Sequence, residues 1–208
     1  MQHRPFLVII SAPSGTGKTT VCHGVLRRLE HIRFSISHTT RPIRPGEVDG
    51  RDYHFVDRPT FERLRDEGAF LEWADVYGNL YGTSVAEIER AASENTDLLV
   101  EIDVQGALQI MDKDVDAVSV FVLPPSLDTI EQRLRARDTD REDEIERRLA
   151  EARSELAKAG SYDYWVVNDD LEQAIADVAC IVRAERRRRT RQRIAGHPLE
   201  RLLGEGTH

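Results

Sequence analysis

The stretch FLVIISAPSGTGKTT, Phe6 to Thr20, decides how the rest of the chain is read. Its opening run, Phe6 to Ile10, is continuously apolar and suits a strand buried on both faces. Gly15, Gly17, Lys18 and Thr19 then complete the end of a GxxxxGK[ST] pattern. Val21, Val25, Leu29 and Ile32 follow at near-helical spacing, which predicts a helix directly after the loop. Strand, glycine loop and helix N-terminus together aim backbone N–H groups and a favourable dipole at phosphate oxygens. Lys18 is then a point charge for terminal phosphates, and Thr19 offers a hydroxyl to Mg²⁺. The pattern departs at Ala12, where the first glycine normally stands; alanine fits if its φ is negative.

Working outward, three more apolar runs predict buried strands: LLVEID (98–103), VSVFVL (118–123) and YWVV (164–167). Helical periodicity falls between them, at Ser126 to Ala136, at Glu142 to Ala159 and from Leu171 onward. Strands alternating with helices imply an α/β fold with a parallel sheet as its core. The segment 34–94 breaks the pattern, with short alternating pieces divided by Gly and Pro, and reads as an inserted mixed α+β lobe. Glu101 and Asp103, two apart on the expected strand, would share a face near its carboxyl end, where ligands collect in such sheets.

Composition limits the alternatives. The chain has 208 residues, 40% hydrophobic and 32% charged, enough for one domain with lobes but cramped for two. No apolar run approaches the ~18 residues of a membrane span, so a cytoplasmic protein without membrane partners is expected. Cys22 and Cys180 indicate neither a disulfide framework nor a thiolate metal site; both are expected to be buried. The formal charge is −8, yet 183–193 carries seven Arg against one Glu, leaving about −14 for the remainder. That acidic body speaks against nucleic-acid binding, and the Arg run is expected to be a solvated helix end. Oligomeric state is not fixed by the sequence, a homo-oligomer being one option.

Arg41 and Arg44, three apart around a proline, form a fork suited to a phosphate dianion. With SAPSGTGKTT, SISHTTRPIRPGEVDGRDYHF, FLEWADVYGNLYGTS, EIDVQGA, RLRARDTD with IERRLAEA, and YDYWVVNDDL in order, the chain resembles the guanylate kinases from about Phe6 to Arg193. The resemblance implies a P-loop three-layer fold: core 1–33, 95–125 and 157–195, a GMP-binding lobe 34–94, a helical lid 126–156 and a tail 196–208. It implies transfer of the γ-phosphoryl group of ATP to GMP or dGMP, with Mg²⁺. ATP would be bound by Ala12, Pro13, Ser14, Gly15, Thr16, Gly17, Lys18, Thr19 and Thr20, with Arg137 and Asn168. Arg41, Arg44, Tyr53 and Tyr81 would hold the GMP phosphate, while Ser37, Glu72, Thr83 and Asp103 would read the base. Lys18, Arg137 and Arg148 would carry the transfer step, and Glu101 would support Mg²⁺ through water.

The resemblance also matches Arg133 to a lid arginine, but Arg133 and Arg147 are read instead as salt-paired helix surface, given the glutamates nearby. Asp138 stands where family members usually have glycine in the lid turn, which bears on lid geometry. Two other readings are weighed. A non-catalytic guanylate-kinase-like binding module would usually lack a complete phosphate loop, whereas this chain keeps Gly17, Lys18 and Thr19. A kinase for another phosphorylated acceptor would have little use for Glu72 and the paired tyrosines.

Overall fold

The computed structural model describes residues 2–135 and 142–193. The first half of the chain runs β1 (Gln2–His3), β2 (Leu7–Ser11), α1 (Lys18–Arg28), β3 (Ile32–Phe34), β4 (His38–Thr39), β5 (His54–Phe55), α2 (Arg58–Asp66), β6 (Phe70–Val76), β7 (Asn79–Ser84) and α3 (Val85–Ser93). The second half runs β8 (Asp97–Glu101), α4 (Val104–Met111), β9 (Ala117–Leu123), α5 (Leu127–Arg135), α6 (Glu142–Leu156), β10 (Tyr164–Val167), α7 (Leu171–Glu185) and β11 (Gln192–Arg193).

The central sheet is parallel throughout, in the order β10-β9-β2-β8-β3. Its inner strands β2, β8 and β9 read as apolar runs because both faces are covered, and alternation sorts them. Val8, Ile10, Leu99, Val118, Val120 and Val122 face a core shared with Val21 and Val25 of α1 and Ile175, Val178 and Val182 of α7. Leu7, Ile9, Leu98, Val100 and Phe121 face the opposite way, onto Val104, Ala107 and Ile110 of α4. On the first face α1 and α7 lie so close that a Cβ on Gly24 would stand 2.2 Å from Ile175 Cδ1.

A second sheet, β5-β4-β7-β6, is mixed and has its own small core of Phe61, Phe70 and Leu80. It is tied to the main body through α4. Gln109 Nε2 donates to Trp73 O at 2.8 Å and Gln109 Oε1 accepts from Trp73 N at 3.3 Å, while Lys113 Nζ donates to Leu71 O. The pair α5 and α6 forms a third small core from Ile130, Leu134 and Ala152.

Five features differ from the sequence reading. YWVV is not buried on both faces: β10 is an edge strand with Val166 buried and Trp165 and Val167 exposed. Ile32 does not extend the first helix: Leu29 caps it in an extended conformation, and Ile32 opens β3. Asp103 is not on a strand, because β8 ends at Glu101 and Asp103 becomes the N-cap of α4, accepting from Gly106 N at 2.8 Å. Cys22 is buried but Cys180 is exposed.

The Arg run is not simply solvated. Arg191 is 3% exposed and donates to Asp116 Oδ1 at 2.9 Å, to Ala117 O at 3.1 Å and to Glu185, with its guanidinium 4.1 Å from the Phe6 ring centroid. Arg186 Nε donates to the fully buried Asp97 at 2.7 Å. Buried carboxylates demand partners, and these two arginines supply them at the base of the sheet. The expected tail 196–208 and the lid residues Arg137 and Asp138 lie outside the described residues.

Candidate active site

The phosphate loop occupies the carboxyl end of β2. Gly15 and Gly17 have φ of 84° and 91°, left-handed values that glycine adopts without penalty, and Gly17 is the N-cap of α1. Ala12 is not among the positive-φ residues, so the absent first glycine costs no strain. Lys18 Nζ donates to Ile102 O at 2.7 Å, and Thr19 Oγ1 donates to Glu101 Oε1 at 2.5 Å. Both side chains therefore reach across to the end of β8.

The carbonyl of Thr16 receives two donors, Asn168 Nδ2 at 2.7 Å and Arg133 Nη1 at 3.0 Å. Arg133 was read from the sequence as salt-paired surface; it is instead a strut from α5 onto the loop, reaching Gly15 O as well at 3.4 Å. Nothing in the local sequence distinguishes it, because the partner is a backbone carbonyl 117 residues away. Arg147 pairs with Glu144 at 3.5 Å as read. Arg133 and Asn168 line a cavity of about 420 Å³ with Gly15, Gly17 and Thr20.

Two further cavities meet over the loop. One of about 600 Å³ is lined by Ala12, Pro13, Ser14, Gly15, Gly17, Lys18, Thr19 and Thr20 on one side, and by Asp75, Tyr77, Asp103, Glu151 and Glu155 on the other. The second, of about 220 Å³, is lined by Lys18, Ser37, Tyr53, Glu72, Tyr81, Glu101 and Asp103. Lys18 and Asp103 line both.

Within the smaller cavity Glu72 is 4% exposed. Its Oε1 accepts from Thr83 Oγ1 at 2.6 Å and from Thr83 N at 3.0 Å. Burial pushes this carboxyl up to about 7, with the Thr83 bonds pulling it down and nearby Asp103 adding to the rise. Glu72 has room only because residue 106 is glycine: a Cβ there would stand 2.4 Å from Glu72 Oε2. A glycine in the first turn of a helix was the available signal for that close approach.

At the open end, Tyr53 and Tyr81 meet edge to face at 6.0 Å, and Arg41 lies 5.4 Å over the Tyr53 ring. Burial pushes the Tyr53 phenol up to about 12, so it is a donor at neutral pH. Glu47 holds the loop, accepting from the Arg41 guanidinium at 2.7 Å and from Arg44 N at 2.8 Å. Neither arginine lines the cavity: the Arg41 guanidinium is tied to Glu47, and the Arg44 side chain is exposed. Thr83 does not line it either and reaches it through Glu72. Arg148 sits beside the larger cleft, paired with Glu144 at 3.0 Å and 5.6 Å over the Tyr77 ring.

Residues 4–185 match the family model for guanylate kinase. The chain belongs to the guanylate kinase family. It is 52% identical over 186 residues to the guanylate kinase of Aromatoleum aromaticum, covering 89% of this chain and 91% of that protein. The guanylate kinase of Symbiobacterium thermophilum is 44% identical over 208 residues, spanning 99% and 98% of the two chains. The crystal structure of guanylate kinase from Anaplasma phagocytophilum superposes with a TM-score of 0.79 at 34% identity, over 96% of this chain and 95% of that one. The α/β architecture with its parallel core and second mixed sheet is thus that of the guanylate kinase family.

Proposed function

We propose that this chain is an enzyme that transfers the γ-phosphoryl group of ATP to GMP or dGMP, giving ADP and GDP or dGDP. The observation that carries the reading is the junction at Lys18 and Asp103, which line both the phosphate-loop cleft and the Glu72 cavity. Two anionic nucleotides seated in these cavities bring their phosphates together beside one ammonium.

Guanine presents N1–H and a 2-amino group, both donors, to the ionised Glu72 carboxylate. Adenine has an acceptor at N1 and no 2-amino group, leaving the second oxygen of the buried carboxylate unpaired, and such sites discriminate by ~10⁴-fold or more. Thr83 fixes the carboxylate, Ser37 and Asp103 complete the base site, and Arg41, Tyr53 and Tyr81 take the phosphate, with Arg44 recruited from the exposed loop. On the donor side Ala12, Pro13, Ser14, Gly15, Thr16, Gly17, Lys18, Thr19 and Thr20 cradle the phosphates. Asn168 and Arg133 bound the cavity for the nucleoside.

A GMP phosphate oxygen forms the new bond to the γ-phosphorus as the bond to the bridging oxygen of ADP breaks, so no protein nucleophile is required. Lys18 and the lid arginines Arg137 and Arg148 neutralise the charge that collects between donor and acceptor.

Mg²⁺ belongs to this proposal. Thr19 Oγ1 and Glu101 Oε1, 2.5 Å apart at the cleft, are the hard oxygen donors Mg²⁺ takes. They would hold it together with phosphate oxygens and water, and the ion would supply charge neutralisation on the donor phosphates. We place the activity in the cytoplasm, in purine nucleotide metabolism and GMP recycling; among the described residues no helix is long and apolar enough to cross a membrane. The retained Gly17, Lys18 and Thr19 favour this over a non-catalytic binding module. ADP release from ATP with GMP, dGMP, AMP, CMP and UMP tests it: turnover is expected with GMP and dGMP, and turnover with AMP but not GMP would overturn it.

A further inference from the structure

The hairpin joining β6 to β7 turns in two residues, Tyr77 and Gly78, with Val76 opposite Asn79 in register. Both turn residues have positive φ, 54° and 81°, as the tightest hairpin turns require. Gly78 fits that turn, and its N–H donates to Asp75 Oδ1 at 2.7 Å. Tyr77 does not fit. Asn is the favoured residue there, and a bulky side chain at positive φ carries a local steric penalty. Residues held in such a conformation persist where something else over-determines them.

The compensating contacts lie on the lid. Tyr77 Oη donates to Glu151 Oε2 at 2.6 Å, 74 residues along the chain in α6. The guanidinium of Arg147 stands 5.0 Å and that of Arg148 5.6 Å from its ring centroid. The phenol and the α6 carboxylate together line the phosphate-loop cleft. One side chain of the acceptor lobe therefore touches three of the lid helix, one of them Arg148, while remaining half exposed.

We propose that Tyr77 is a positioning residue for phosphoryl transfer: it clasps the acceptor lobe to the lid helix, so that filling the GMP cavity sets Arg148 and closes the donor cleft. The inference rests on the functional reading above. The lobe and the lid meet across the cleft, and a strained tyrosine is kept at the contact in place of a relaxed asparagine.

The test uses Tyr77→Asn and Tyr77→Phe beside the wild type. Asparagine suits the turn, so the melting temperature of Tyr77→Asn should hold or rise. GMP affinity measured without donor should stay within about twofold, while kcat should fall by more than about tenfold, because both the hydrogen bond to a charged group and the two ring contacts are lost. Tyr77→Phe, which keeps the ring over both arginines, should fall between the two. GMP should tighten binding of a non-hydrolysable ATP analogue to the wild type, and this coupling should be absent in Tyr77→Asn. Wild-type kcat and coupling in Tyr77→Asn would overturn the clasp while leaving the functional reading intact. So would a loss of kcat matched by a lower melting temperature and weaker GMP binding, which marks a merely structural role. A wild type inactive on GMP would remove both readings.

Discussion

Glu72 and Thr83 form a closed pair: one carboxylate oxygen accepts both the hydroxyl and the backbone N–H of the same residue, at 2.6 and 3.0 Å. The second oxygen is left beside Gly106, on the side of Asp103. Because burial raises this carboxyl to about 7, GMP binding should depend on pH. Only the ionised form accepts both guanine donors, so GMP binding releases a proton, and affinity should weaken by roughly tenfold between pH 8 and pH 6. Calorimetric titration across that range checks it, with Glu72→Gln showing only the titration of the nucleotide phosphate.

The same group makes the empty protein sensitive to pH in the opposite sense. Its folded value, about 7, lies above the ordinary 4.5, so the folded state binds more protons between these values. The associated stability is complete below pH 4.5 and is lost as pH rises through 7. Relative to Glu72→Gln, the wild type should lose on the order of 1–3 kcal/mol over that window, read by denaturant unfolding at each pH. Glu155, raised to about 7 by burial, against the pull of Lys18 and with Asp103 adding to the rise, adds a parallel loss to both proteins.

Gly106→Ala places a methyl group 2.4 Å from Glu72 Oε2 and 3.3 Å from Asp103 Oδ1. The carboxylate must swing away from the base, so kcat/KM for GMP should fall by roughly 10-fold to 100-fold while the fold persists. Glu72→Asp in the same chain is one methylene shorter and should recover part of the loss. Steady-state kinetics of the two variants against GMP is the check.

Arg133→Ala removes a charged donor from the carbonyls of Thr16 and Gly15. A hydrogen bond of that kind is worth ~1.5–3 kcal/mol, so the KM for ATP should rise by about tenfold or more, with the KM for GMP little changed. Equal rises in both would place Arg133 outside the donor site.

Among the described residues, Arg191→Ala leaves the buried Glu185 with only the Tyr164 hydroxyl at 2.7 Å and the exposed Arg188 at 3.4 Å, and removes a partner of Asp116, far from the nucleotide cavities. Breaking a buried pair from one side costs about 3–5 kcal/mol, so the denaturant midpoint should drop sharply while kcat at low temperature is retained.

How much of this was legible in the sequence follows from the range of each interaction. The continuous runs of β2 and β9 announced a doubly covered parallel sheet, because burial on both faces leaves no polar alternation, whereas the equally apolar YWVV of β10 forms an edge strand with Trp165 and Val167 exposed. The phosphate loop was legible because glycines at fixed offsets carry its geometry locally. Arg133, Arg191 and Tyr77 were not, since each acts on a partner brought near only by folding. Ile32 kept helical phase by coincidence, and only the extended Leu29 reveals the helix end. Glu72 was named from the family resemblance, but its pairing with Thr83 and its dependence on Gly106 are matters of packing.

The central claim is that one molecule of each nucleotide sits on either side of Lys18 with phosphates in contact. A dinucleoside polyphosphate carrying adenosine at one end and guanosine at the other tests it in a single competition measurement. The account predicts one such molecule bound per chain, competitive with ATP and with GMP alike, and tighter than its diadenosine counterpart. Competition with only one of the two substrates would contradict it.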